Sequence, residues 1–509
     1  MNGQGKSDRS VVPAKRPNDA GRPAEEVAEG RDLAKGNMGQ QNAPRTQRRT
    51  SAHSALDRVR EAARKDRKAK FTALFHHLTP ELLGTAFDSL KKKAAAGVDG
   101  VTWEQYGANL EENLRDLHGR LQRGAYRARP SRRVYIPKAD GRLRPLGIAS
   151  LEDKLVQRAV VVVLNAIYEV DFIGFSYGFR PGRNQHQALD ALAVGIPRKT
   201  VRWVLDADIR GFFDAIDHGW LMKFIEHRIA DRRILRLIRK WLSAGVMERG
   251  AWTESNEGTP QGATISPLLS NIFLHYVLDL WAQQWRMRLP RGDLIIVRYA
   301  DDFIVGFQRR AHAERFLREL RERLRKFSLE LHPDKTRLIE FGVYAATDRQ
   351  ERGVGKPETF DFLGFTHVCA KSRNGKFLLQ RRTSRRRMHN KLSEIKIELR
   401  QNMHLPLVAQ GAWLRRVVNG YFAYHAVPTN VQPLRSFRQR IRELWIRALR
   451  RRSQRSRTSW ERFDKLSQRW LPPARILHPW PEQRFDVRYP RQEPSALAAH
   501  AGIRAGGGP

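Results

Sequence analysis

Cysteine is almost absent from this chain of 509 residues: Cys369 stands alone. That excludes an internal disulfide and any zinc module built on paired thiolates. Long apolar runs are missing too, since the longest, Ala159 to Leu164, falls far short of the ~20 residues that a membrane span requires. Residues 1 to 30 hold no apolar stretch of the kind a secretory leader needs, so the expected location is the cytoplasm. Acidic residues are scarce, with 53 Asp and Glu against 94 Lys and Arg and a net charge of +41. A charge so one-sided repels itself unless a polyanion neutralises it, which makes nucleic acid the expected partner. A basic membrane-surface protein is the other reading of such charge. The mean hydropathy of −0.59 and the lack of apolar stretches speak against it.

At roughly 150 residues per domain the chain should hold about three or four domains. Residues 1–50 have few aromatic or β-branched side chains and read as a disordered basic arm. Over residues 51–130 the pattern turns helical, with Phe71, Leu74, Phe75 and Leu78 on one face and Leu110, Leu114, Leu117 and Leu121 on another. Gly97-Val98-Asp99-Gly100 marks a tight loop between them. Residues 131–370 alternate short β-rich runs with helical ones, and strands are expected at 133–137, 201–207, 294–299, 303–307 and 338–341. Residues 371–480 turn helical and basic: 381–400 carry eight Arg or Lys against two Glu, and 435–457 ten Arg against one Glu. There Leu434, Phe437, Ile441, Leu444, Trp445 and Ala448 form an apolar stripe suited to core packing. Residues 481–509 read as a tail.

Carboxylates mark the chemistry. The segment from Leu294 to Phe307 sets two apolar strands around Ala300-Asp301-Asp302, as a β-hairpin with an acidic tip would be written. Asp also simply favours turns. A second acidic strand end strengthens the functional reading: in Val201 to Asp214, Asp206 and Asp208 stand at i and i+2 and so share a face. Burying such charges costs several kcal/mol unless cations compensate. Two acidic strand ends brought together would hold two Mg²⁺ about 3.5–4 Å apart, the arrangement for nucleotidyl transfer. Spacing alone does not choose between Asp206 and Asp208.

Lys138 and Arg144 flank an expected turn at Asp140-Gly141, where two cations could converge on a triphosphate or simply line a solvated hairpin. Ser266-Pro267 reads as N-cap and first residue of a helix buried through Val277. Arg385 to Arg387, Trp413, Arg415, Arg416, Tyr421 and Tyr424 suit an RNA surface, because arginine pairs with phosphate and aromatics stack on unpaired bases.

Tyr299-Ala300-Asp301-Asp302 resembles the signature of reverse transcriptases, and the blocks around it resemble group II intron-encoded reverse transcriptase/maturases of the bacterial type. Ala95 to Thr102 is similar to that family's N-terminal block, Ile136 to Ile148 to its first finger block and Ser176 to Arg183 to its second. Gly258-Thr-Pro-Gln-Gly262, Leu331 to Thr336 and Phe360 to Phe365 are similar to later palm motifs. The resemblance implies an α+β right-hand polymerase: fingers and palm with an antiparallel palm sheet, then an α-helical thumb/maturase domain. It implies Asp208, Asp301 and Asp302 as catalytic metal ligands, with Asp206 a neighbour, because Asp208-Ile-Arg-Gly-Phe-Phe matches the first palm motif. Lys138, Arg144, Phe213, Gln261 and Lys335 are the implied dNTP contacts, with Phe213 walling off the ribose 2′ position. A salt-bridged surface role competes for Lys335.

The implied cofactor is Mg²⁺, two ions. The implied partners are group II intron RNA, target DNA as primer and dNTPs, with a homodimer left open, and the implied setting is a nucleoid-associated ribonucleoprotein. Larger relatives carry a C-terminal HNH endonuclease with Cys-pair zinc sites. With Cys369 alone, this chain is expected to lack that domain and to prime from a cleaved strand or replication fork. The rivals are a polymerase-inactive splicing factor and a retron-like or defence-associated reverse transcriptase.

Overall fold

The computed structural model describes residues 56–137, 143–248, 251–253, 258, 262–288, 292–452 and 459–486. Its N-terminal part is helical where the leucine spacing predicts it: in the helix Leu110–Gln122, Leu114, Leu117 and Leu121 point into the core. Thr102 opens the preceding helix, Trp103–Ala108, through a reciprocal capping box with Gln105. The expected helical face at Phe71 to Leu78 is different. Phe71 instead bridges to Ile229 as a strand residue, and Phe75–His77 is a single 3₁₀ turn. Asp231 accounts for this, because its carboxylate accepts the backbone N–H groups of Leu74 and Phe75 at 2.7 and 2.8 Å.

Three sheets follow. Strands β1 (Ser131–Pro137) and β2 (Leu143–Ile148) form the antiparallel hairpin read from the sequence, and β1 also pairs in parallel with β4, Val246–Glu248, whose other neighbour is β5, Ala251–Thr253. The turn at Asp140-Gly141 lies outside the described residues. The central sheet has the order β6-β7-β3-β8, all antiparallel, with β3 at Trp203–Ala207, β6 at Leu294–Tyr299, β7 at Asp302–Phe307 and β8 at Arg337–Glu340. Helix α1 (Leu151–Asp171) lies buried along much of its length, started by Ser150, whose hydroxyl accepts from the Asp153 N–H. Helix α2 spans Gln185–Arg198. Helix α3, Ser266–Leu274, begins one residue earlier than expected: Ser266 is its first residue, Pro267 its second, and Ile265 precedes it. It does not continue as α-helix through Val277, because His275–Asp279 forms a π turn before Leu280–Met287 resumes.

The third sheet, β9 (Phe360–Phe362), β10 (Phe365–Lys371) and β11 (Phe377–Thr383), leads into the basic helices α4 (Arg385–Gln401), α5 (Leu407–His425), α6 (Val431–Arg451) and α7 (Trp460–Trp470). The apolar residues divide into two cores. One joins the N-terminal helices to the central and third sheets, and the other gathers Leu414, Val418, Leu434, Phe437, Ile441, Trp445 and Phe463 from the C-terminal helices. Of the expected stripe, Leu434, Phe437, Ile441, Trp445 and Ala448 are buried, and Leu444 packs at the margin. Among the described residues no helix is long and apolar enough to cross a membrane.

Candidate active site

Strand register brings the carboxylates together. Ala207 of β3 pairs with Phe303 of β7, so Asp208, the next residue, stands opposite Asp302. Directly opposed residues in an antiparallel pair hold their Cβ atoms about 4.5–5.5 Å apart. Asp301 occupies the turn between β6 and β7, whose last pair is Tyr299 with Asp302. Beyond β3 the chain is pinned: the Asp208 carbonyl accepts from His332 N–H at 2.8 Å, and Arg210 N–H donates to Glu330 at 2.8 Å.

On the other side of β3, Asp206 pairs with Arg337 of β8, Nη2 to Oδ2 at 3.6 Å. One step further, Lys335 forms an ion pair with Asp208. Asp206 and Asp208 therefore share a face, as their spacing requires, and each meets a cation from the β8 side. Asp206 lies opposite Ile304 rather than an acid.

Electrostatics reflect this crowding. Burial pushes the Asp301 carboxyl up and Asp208 adds to it, while its own backbone N–H, Arg144 and Lys335 pull it down. Burial, then Asp301 and Asp208, push Asp302 up to about 8, although the residue as a whole keeps contact with solvent. Burial raises Asp206 to about 6 against the pull of Arg337. Neighbouring carboxylates that raise one another hold negative charge in want of a cation. Hard carboxylate oxygens are the donors Mg²⁺ prefers, so the donor set fits that ion. Among the described residues no three His, Cys, Asp or Glu side chains form a ready-made ion site. The Lys335 ammonium sits on one Asp208 oxygen and competes with an ion for that carboxylate.

The other expected contacts fall as follows. Arg144 is exposed on β2, with its charge felt at Asp301. Lys138 and Gln261 lie outside the described residues. Phe212–Asp214 forms a 3₁₀ turn after Gly211, with Phe212 buried and Phe213 half-buried. The glycines that flank Gln261 make close backbone approaches: a Cβ on Gly258 would stand 2.8 Å from the Phe213 carbonyl, and one on Gly262 2.9 Å from the Gly147 carbonyl. A cleft of about 1130 Å³ opens from Asp208 and Asp302 toward Arg385 and Arg386 at the start of α4.

Sequence reasoning missed the support beneath the turn. Arg298 on β6 is fully buried, forked onto Asp279 and donating to the Ala300 carbonyl at 2.9 Å. Its one legible signal is a lone arginine within an apolar strand.

Residues 136–367 match the family described as reverse transcriptase (RNA-dependent DNA polymerase). Protein YkfC of Escherichia coli is 37% identical over 294 residues, which cover 51% of this chain and 77% of that one. Group II intron-encoded protein LtrA of Lactococcus lactis is 36% identical over 238 residues, 46% of this chain and 39% of its own length. The uncharacterized 91 kDa protein in the cob intron of Schizosaccharomyces pombe is 36% identical over 198 residues, 39% of this chain and 24% of its own.

Proposed function

From the premise that this chain belongs to the reverse transcriptase family, in its group II intron-encoded branch, and is an RNA-directed DNA polymerase, we propose that it copies intron RNA into DNA from a DNA 3′-hydroxyl and stabilises the folded intron for splicing and mobility. The observation that carries the polymerase part is the register that sets Asp208 opposite Asp302, with Asp301 on the adjoining turn. Asp208, Asp301 and Asp302 would hold the metal. Bound there, two Mg²⁺ would favour ionisation of the primer hydroxyl and neutralise departing pyrophosphate.

The protein's own residues orient the reactants. Arg144 and Lys138 pair with the triphosphate, as guanidinium and ammonium groups do. Lys335 exchanges its hold on Asp208 for the departing phosphates. Phe213 stands against the sugar, Gln261 contacts the incoming nucleotide, and the β9–β10 hairpin seats the primer end. Phosphates of the duplex run past Arg385 and Arg386 along the cleft, and the basic faces of α4 and α6 grip intron RNA. Nucleoid association and a homodimer belong to the same proposal.

The test is primer extension on an RNA template with Mg²⁺. Wild type should extend, and the Asp301→Ala, Asp302→Ala double variant should lose at least about 10³-fold, the scale on which essential catalytic groups act. Equal activity of the two would sink the reading. An intron-type RNA structure flanking the coding sequence is the matching expectation for the maturase part.

A further inference from the structure

The turn that carries Asp301 and Asp302 adopts a backbone its sequence does not favour. Ala300 is left-handed at φ +56°, a conformation that disfavours a residue with a Cβ. Such strain persists only where the surroundings over-determine it.

Two contacts do so. On one side, the Nη1 of Arg298 donates to the Ala300 carbonyl at 2.9 Å and to Asn271 Oδ1 at 3.1 Å, while Nε and Nη2 fork onto the Asp279 carboxylate at 2.7 and 2.5 Å. On the other, Gly178 lies so close that a Cβ there would stand 2.3 Å from the Ala300 nitrogen. Asn271 joins the two sides, because its Nδ2 also donates to the Gly178 carbonyl at 2.7 Å.

The π turn at His275–Asp279 makes this convergence geometrically cheap. Eight residues of regular α-helix would leave Asn271 and Asp279 about 80° apart around the axis, whereas the extra residue that a π turn absorbs brings them within about 20°. Both anchors of Arg298 thus project from one helix face.

The Ala300 carbonyl and the Asp301 N–H belong to one rigid peptide plane. Fixing the carbonyl fixes that plane, and the plane contains the Asp301 Cα from which the carboxylate springs. A fully buried guanidinium–carboxylate pair is poor value as a mere stabiliser, since well-packed apolar groups serve as well. Geometry is what it adds here.

We propose that Arg298, held by Asp279 and Asn271, is a positioning residue that sets the Ala300–Asp301 peptide plane and through it the direction in which Asp301 presents its carboxylate to a divalent cation. This rests on the reading of Asp301 as a metal ligand.

The test uses the full-length chain at a temperature where circular dichroism shows every variant folded. Mn²⁺ binding is followed by electron paramagnetic resonance, and kcat and KM by primer extension with Mg²⁺. Arg298→Lys keeps the charge but loses the planar fork, and should weaken Mn²⁺ binding about 10- to 100-fold, the scale of lost outer support at metal sites. Its kcat should fall alongside, with the KM for dNTP little changed. Gly178→Ala, acting from the opposite side, should move both readouts the same way. Asn271→Ala leaves the ion pair in place and carries the test if Arg298→Lys does not fold.

Arg228→Lys is the structural control. It disturbs a buried pair with Asp171, at 2.8 Å, that makes no contact with the turn, and should leave Mn²⁺ affinity unchanged. Wild-type Mn²⁺ affinity in Arg298→Lys, or equal weakening by Arg228→Lys, overturns the proposal. Failure of the polymerase reading shows itself separately, as wild-type extension no better than that of the Asp301→Ala, Asp302→Ala variant.

Discussion

Phe212 and Phe213 share one 3₁₀ turn, yet Phe212 is buried against Phe273, ring centroids 6.3 Å apart, while Phe213 keeps part of its ring in solvent. Truncating them should therefore have opposite consequences. Phe212→Ala removes a packed core ring and should cost about 3–5 kcal/mol, read as a fall in thermal midpoint. Phe213→Ala should cost far less stability but raise incorporation of ribonucleotides relative to deoxyribonucleotides. An unchanged ratio with Phe213→Ala would remove it from the sugar-gate role. The acidic residues of the site were legible because charges inside apolar strands are conspicuous, and their burial needs a reason. Arg298 was equally conspicuous. Its task was not, since that depends on Asn271 and Asp279 from a helix and Gly178 from a distant loop, which no local period relates. The π turn that aligns the two helix residues leaves no mark in the hydrophobic pattern.

At the scale of elements, local chemistry carried far. Alternating apolar residues located β1, β3, β6, β7 and β8 to within about two residues, the usual uncertainty of element ends. Phe360 to Phe365, similar to a palm motif, forms a tight hairpin, with Phe362 paired to Phe365 and both turn residues left-handed, Leu363 at φ +48° and Gly364 at φ +82°. Two positive φ values in a two-residue loop match the twist of the flanking strands. Gly364→Ala should thus cost about 1–2 kcal/mol from backbone alone. A Cβ would also stand 3.0 Å from Arg387 Cδ, a flexible neighbour that can yield. Thermal unfolding of this variant measures the cost, and no loss at all would mean that the loop relaxes to another turn. The helix expected at Phe71 to Leu78 failed for a complementary reason. Phe71 N–H donates to the Arg228 carbonyl and Ala230 N–H to the Phe71 carbonyl, each at 2.8 Å, so pairing with a segment far along the chain outweighs local periodicity.

For the molecule as a whole, the joint between the two cores is ionic and rich in imidazole. Asp190 of α2 accepts from Arg381 of β11 at 2.8 Å and forms an ion pair with Arg484 at 2.8 Å. Asn430 ties Thr383 to the His425 carbonyl at 2.8 and 2.7 Å. Near these lie His367, stacked on Phe360 at 4.7 Å, and His425, 5.2 Å from the Phe365 ring. Burial pushes both imidazoles down to about 3, helped by Arg381 for His367 and by Arg387 for His425. The unfolded chain would take protons on these rings near pH 6.5, while the folded chain refuses them until about 3, so folding stability is complete above pH 6.5 and drains away between 6.5 and 3. Each ring contributes roughly several kcal/mol to that loss.

His367→Phe keeps an aromatic ring on Phe360 and removes the titration. Denaturant unfolding of wild type and variant across pH 8 to 4 isolates this ring, because the raised carboxyls of Asp206 and Asp302, which favour the folded state as pH falls, are common to both. The two stability curves should run parallel above pH 6.5 and converge or cross below it, with the variant losing less. Curves that stay parallel to pH 4 would mean that His367 takes its proton within the folded state and that acid opens the joint elsewhere. Convergence would tie the hold of the C-terminal helices on the palm to one neutral imidazole beside Arg381, in a chain whose surplus of cations makes any further positive charge at that joint costly.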